Sequence, residues 1–298
     1  MKTRSVLSAE RTSGGGVGEP GGSPTYRHKA RFGMSSLASR LLVTAILLPL
    51  VIGLVYLGGW WLFVLALVGG LIALHELYVM AKDLRPLVLA GYLGFVLGLL
   101  GLQLGGPEWM LGGILVTLFF VFVLYGLSDI RTSATTTFGV TMLGVVWIGA
   151  GLGLLLLVRD IPEHGFWAVI AVLFTVFAAD TVAFFVGRAI GRRKMAPAIS
   201  PGKTWEGFAA GLLAAMAASF LILYRDRDEF LTIPETLLFG LAVAIAGVFG
   251  DVFESAVKRD LGFKDSGRLL GGHGGMLDRL DALLWAGPAA YFVILAVN

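Results

Sequence analysis

The sequence predicts an all-α protein: a polytopic integral membrane bundle of about nine transmembrane helices, with its N-terminus in the cytoplasm. Three observations carry that expectation. The chain is 57% hydrophobic with a mean hydropathy of +0.84, too apolar for a water-soluble domain of 298 residues. Apolar runs of about 17–25 residues recur along it, the length a helix needs to cross hydrocarbon with its backbone polar groups satisfied internally. The basic residues sort to one side of the resulting spans, which fixes an orientation.

Taken in order, residues 1–40 form a basic tail with SGGGVGEPGGSP at its centre. It has little to bury and is expected to be disordered; a weak contact with anionic lipid is the alternative. It does not resemble a signal peptide, because the first apolar run begins near Leu41 and is long enough to span. Residues 41–298 form one transmembrane domain. Spans are expected at roughly 41–58, 60–79, 87–104, 109–127, 138–158, 166–187, 207–224, 234–258 and 282–297. Small residues abound in them, as in GAGLG at 149–153 and AAGLLAAMAAS at 209–219, and let such helices approach closely. A face rich in small residues also suits a homodimer.

With these spans, 20 of the 23 basic residues fall on one side, and only Arg159, Arg225 and Arg227 on the other. The positive-inside rule then puts the N-terminus and both large polar loops in the cytoplasm of an inner-membrane protein, and the C-terminus outside. The absence of cysteine excludes disulfides, thiolate metal sites and a cysteine nucleophile. Nothing points to nucleic acid.

Ionisable residues inside spans are functional candidates by default. His75 and Glu76, near the cytoplasmic end of the second span, could pair with each other or snorkel. Asp180 lies in FTVFAADTVAFFVGR, two turns before Arg188, so both can face one side; the alternative is a buried structural ion pair elsewhere in the bundle. Asp251, Glu254, Ser255 and Lys258 follow i, i+3, i+4, i+7 spacing, which lines them on one stripe of the eighth helix. That stripe could neutralise itself, or meet a cation and a water-soluble substrate at the interface.

The first polar loop, GRAIGRRKMAPAISPGKTWEG (187–207), groups Arg188, Arg192, Arg193 and Lys194, then Ser200, Lys203 and Thr204. Lys203 precedes a helix N-terminus, whose free N–H groups suit an anion. GKT is not a P-loop here, since position 197 is Pro where the upstream glycine belongs and no strand is expected before it.

The second loop, within GDVFESAVKRDLGFKDSGRLLGGHGGMLDRLD (250–281), concentrates eleven formal charges around His273, with five glycines between Gly267 and Gly275. DRLD puts Asp278 and Asp281 on one face of a turn. Mg²⁺ prefers oxygen ligands, so Asp251 and Asp278 on adjacent helices could bracket one or two ions. His273 suits a phosphate contact, a general acid or a loop-fixing hydrogen bond; zinc is disfavoured with one nearby His and no Cys.

The run SAVKRDLGFKDSGRLLGGHGGMLDRLDA (255–282) resembles the signature of the phosphatidate cytidylyltransferases, also called CDP-diglyceride synthases. Ser255, Lys258, Arg259, Lys264, Asp265, Gly267, Leu270, Gly271, His273, Gly274, Gly275, Asp278, Arg279 and Asp281 all fall on that pattern. The upstream block 178–207 is similar to the family's second block, with Asp180, Gly187, Arg188, Ser200, Pro201, Lys203, Thr204 and Glu206 in place. The N-terminal half shows only spans, and the tail lies outside the pattern.

The resemblance implies that CTP and phosphatidate give CDP-diacylglycerol and pyrophosphate, with Mg²⁺, in the bilayer and without a covalent enzyme intermediate. It implies a catalytic part at about 178–281. Asp251 and Asp278 are then expected as metal ligands, with Asp281 and Asp180 as further ones and a second, monovalent cation as an option. Lys258, Arg259, Lys264 and Arg279 would clamp phosphates, with Arg188, Ser200, Lys203, Ser255 and Asp265 around the substrate and His273 in a catalytic role. A transporter shares the intramembrane acids but not two dense polar loops on one face. The CDP-alcohol phosphotransferases share the lipid, but their D-G-x2-A-R run is missing: no Ala-Arg follows Gly250–Asp251.

Overall fold

The computed structural model describes residues 36–128, 133–226, 229–267 and 274–297. Long apolar runs bounded by glycine, proline and charged turns become helices, in the order α1 (Ser36–Leu57), α2 (Gly59–Met80), α3 (Val88–Gly105), α4 (Pro107–Leu127), α5 (Ala134–Arg159), α6 (Gly165–Ile190), α7 (Trp205–Leu223), α8 (Ile233–Asp260), α9 (Leu277–Leu280) and α10 (Leu283–Val297). Among the described residues, eight helical segments are long and apolar enough to cross a membrane. In that count α9 and α10 form one crossing, and α1, described for its side chains only from Ala45, is the further apolar helix. The nine expected spans therefore all appear as helices. α1 begins at Ser36, inside the tail as drawn from the sequence; tail residues 1–35 lie outside the described residues.

One element departs from an all-α reading. The first polar loop contains an antiparallel hairpin of β1 (Lys194–Ala196) and β2 (Ser200–Thr204), pairing Lys194 with Thr204 and Ala196 with Ser200. A short strand thus does precede α7, contrary to the sequence expectation. Thr204 ends it and caps α7, its side chain accepting from the Gly207 N–H. α8 starts in the same manner, from a Thr232–Glu235 capping box with Pro234 in the first turn.

The helices alternate in direction, and each end of the bundle is fastened by polar contacts. At one end, Arg159 donates to the carbonyls of Val55 and Tyr56 at 2.6 and 2.9 Å, closing α5 over the α1–α2 turn. There too His164 meets Asp226 at 3.3 Å. At the opposite end lie the C-terminal ends of α2, α6 and α8, the hairpin, and α9.

The core is a continuous apolar cluster drawn mainly from α2, α3, α5, α6 and α10. α3 and α4 pack chiefly on each other and on α5. Their approach is backbone to backbone: a Cβ at Gly113 would sit 2.5 Å from the Gly98 Cα.

Since neither backbone can yield, Gly113→Val is expected to destabilise the bundle by about 1–3 kcal/mol through overpacking. Thermal unfolding in detergent measures this, and an unchanged melting temperature would show that α3 and α4 separate without penalty.

Candidate active site at one end of the bundle

The site is built on the last three turns of α8. Helical spacing puts Asp251, Glu254, Ser255 and Lys258 on one face, as the sequence suggests. Ser255 donates to Asp251 Oδ1 at 3.3 Å, and the Lys258 ammonium lies 2.6 Å from Glu254 Oε2. The chain returns through α9 against this face. Gly250 makes that possible, because a Cβ there would stand 2.6 Å from the Asp281 carbonyl. Asp278 then reaches Lys258 at 2.6 Å, and Asp281 joins the acids.

Asp251, Glu254 and Asp281 each offer a carboxylate oxygen, and these three oxygens lie within 4.8 Å of one another. Glu254 is 1% exposed; its Oε2 is paired with the Lys258 ammonium at 2.6 Å, while Oε1 has no hydrogen-bond partner. A buried carboxylate with an unsatisfied oxygen, facing two more hard oxygen donors, matches the coordination chemistry of a divalent cation such as Mg²⁺.

The structure groups the expected residues differently. Asp251 and Asp281 come together, with Glu254 as the third member, a residue the sequence puts on the stripe without a role. Asp278 is not part of that trio. Its oxygens take Lys258, the Ser266 N–H at 3.1 Å and the Gly275 N–H at 2.8 Å, so it holds the returning chain to α8.

The hairpin closes the site from the side. The Lys203 ammonium pairs with Asp251 Oδ2 at 2.7 Å and donates to the Val248 carbonyl at 3.3 Å. The two polar loops therefore share one end of the bundle. Glu206 accepts from the N–H groups of Arg192 and Arg193 and fixes the base of the hairpin. Asp180 interacts electrostatically with Lys203, Asp251 and Asp281. It makes no ion pair with Arg188, whose side is exposed at the end of α6.

The remaining candidates surround this centre. Ser200 is half-buried in β2. Arg259 donates to the Phe263 carbonyl at 3.0 Å, and Arg259, Lys264, Asp265 and Arg279 are exposed. His273 lies outside the described residues. His75 and Glu76 do not pair with each other: His75 meets the Tyr92 hydroxyl at 2.7 Å, while Glu76 faces the returning chain. Sequence reasoning gave Glu76 no site role, and its only signal is a carboxylate within an apolar span.

A family model described as the cytidylyltransferase family matches residues 38–297. A phosphatidate cytidylyltransferase of Haemophilus influenzae is 42% identical over 130 residues, covering 43% of this chain and 45% of the relative, so this match spans less than half of that protein. One of Bacillus subtilis is 31% identical over 270 residues, 88% of this chain and 98% of the relative. One of Mycobacterium tuberculosis is 32% identical over 328 aligned positions, 98% of this chain and 94% of the relative, an alignment that takes in most of the N-terminal tail.

Lys258 is 8% exposed and compensates two carboxylates at once. Lys258→Met is expected to cost about 3–5 kcal/mol, because it strands buried charges. The measurement is the melting temperature in detergent; a variant as stable as the parent would mean that Glu254 and Asp278 do not depend on it.

Proposed function

The chain belongs to the cytidylyltransferase family, and we propose that it performs the reaction for which its relatives are named, transferring CMP from CTP to phosphatidate to give CDP-diacylglycerol and pyrophosphate. It is a membrane nucleotidyltransferase of phospholipid biosynthesis. The observation that carries the reading is the trio of Asp251, Glu254 and Asp281, with its unsatisfied buried oxygen, set between two lysine-bearing polar loops at one end of a transmembrane bundle.

A phosphate oxygen of phosphatidate attacks the α-phosphorus of CTP, the bond to the β-phosphate oxygen breaks, and pyrophosphate leaves. Phosphatidate supplies the nucleophile, so no protein nucleophile and no covalent enzyme intermediate are needed. The protein's work is alignment and charge stabilisation. Asp251, Glu254 and Asp281 would hold Mg²⁺, and Asp180 stands close enough in charge to serve a second cation. Bound Mg²⁺ supplies neutralisation of the charge on the reacting phosphates. Lys203, at the head of α7, is placed to meet an anion from the hairpin side. Arg259, Lys264 and Arg279, exposed around the mouth, and Arg188 at the end of α6 suit the triphosphate and the lipid phosphate. Asp278 keeps Lys258 charged and in place.

The reaction end lies at the cytoplasmic face of the cell membrane in this reading, supported by the one-sided distribution of basic residues. There CTP comes from water while phosphatidate stays in the leaflet.

The test is purified protein in detergent with radiolabelled CTP. Label should enter lipid and pyrophosphate should appear only when phosphatidate and Mg²⁺ are both present. Asp281→Asn is expected to lower turnover on the order of a hundredfold or more while the protein stays folded, because a charged ligand of the reaction centre is gone. Label transfer without phosphatidate, or near-parental turnover by that variant, would defeat the assignment.

A further inference from the structure

We propose that Glu76, on α2, is a positioning residue that sets the angle at which the returning chain presents Asp278 and Asp281 to α8. The inference rests on the cytidylyl transfer proposed above, whose reaction centre it would align.

Glu76 is 7% exposed, four residues before the end of a membrane-spanning helix. A carboxylate in such a place is costly unless its acceptors are filled. Among the described residues no cation pairs with it. Its partners are three donors from the far end of the chain. Oε2 accepts from the Ser266 hydroxyl at 2.8 Å and the Leu277 N–H at 2.9 Å, and Oε1 accepts from the Met276 N–H at 2.9 Å. A carboxylate is acceptor-only, so it suits three donors arriving together. Gly267 and Gly275 stand against its oxygens so closely that neither has room for a side chain. One carboxylate thus grips the returning chain on both flanks, at 266–267 and at 275–277.

The grip leads to the reaction centre by short steps. Ser266, held by Glu76, gives its own N–H to Asp278 Oδ2 at 3.1 Å, and its hydroxyl oxygen lies 3.4 Å from the Asp278 N–H as acceptor. Asp278 holds Lys258, and Lys258 holds Glu254 of the trio. α9 is four residues long, too short to keep its own geometry without outside contacts. Asp278 and Asp281 therefore take their positions from what grips the chain just ahead of them, which is Glu76.

Glu76→Gln keeps the shape but turns one acceptor into a donor facing donors. It is expected to lower kcat about 10–100-fold, the range found when an outer partner of a reaction centre is lost. The KM for CTP should move by less than a few-fold, since the exposed basic groups are untouched. Ser266→Ala removes one link of the same grip, so the double variant should be barely worse than Glu76→Gln alone. Amide exchange should quicken across 274–280 and stay at the parental rate in α3 to α5. Parental kcat in Glu76→Gln, fully additive losses, or unchanged exchange across 274–280 would each overturn the proposal. A lower yield with parental kcat in the folded fraction would reduce Glu76 to a folding role and overturn it as well. Should Glu76→Gln fail to assemble, Ser266→Ala carries the kcat and exchange readouts. If the parent itself transfers no CMP, cytidylyl transfer fails as the function, while the exchange readout still decides whether Glu76 holds the chain.

Discussion

Lys258 places one ammonium between Glu254 and Asp278, 2.6 Å from each. In the partly dry end of a membrane bundle, carboxylates this close repel strongly, and water is not at hand to screen them. The lysine makes it possible for α8 and the chain returning through α9 to lie side by side. The other polar contacts of the site depend on that arrangement. Asp281 could not approach Asp251 and Glu254 if the chain carrying it were pushed off α8, and Lys203 would then bridge to a lone carboxylate rather than to a centre.

The apolar body of the bundle serves this polar end. Between helices in lipid the hydrophobic effect offers little, so close packing has to supply cohesion. Small residues do so where α10 crosses α8 and where α3 meets α4. The opposite end is secured by Arg159 on two backbone carbonyls. With both ends fixed, the carboxylates are held by a frame that spans the membrane, which suits a reaction depending on alignment more than on a reactive side chain.

Much of this was readable in the sequence, for identifiable reasons. Spans follow from composition, since a helix in hydrocarbon must be apolar nearly throughout. The α8 stripe follows from helical periodicity, and the common location of the two polar loops follows from counting basic residues across alternating spans. The hairpin was not readable: three- and five-residue strands leave no alternation, and Pro201 and Gly202 argue against a strand locally. The different surroundings of the acids were also hidden. Asp278 and Asp281 look alike at i and i+3, and it is the Lys258 ammonium and the backbone N–H groups of Ser266 and Gly275 that set Asp278 apart. Glu76 was the least visible, because its partners lie 190 to 201 residues away and no local pattern records so distant a bond.

The formal charges around Asp251 lead to a constraint of electroneutrality. Five carboxylates, those of Asp180, Asp251, Glu254, Asp278 and Asp281, face two ammonium groups, Lys203 and Lys258. Five against two leaves three negative charges in a region of low dielectric. One divalent ion alone would leave a residue of one. In the reaction proposed above, a divalent and a monovalent ion together would balance the fully ionised set, and the salt of the surrounding solution would enter the charge balance of the reaction.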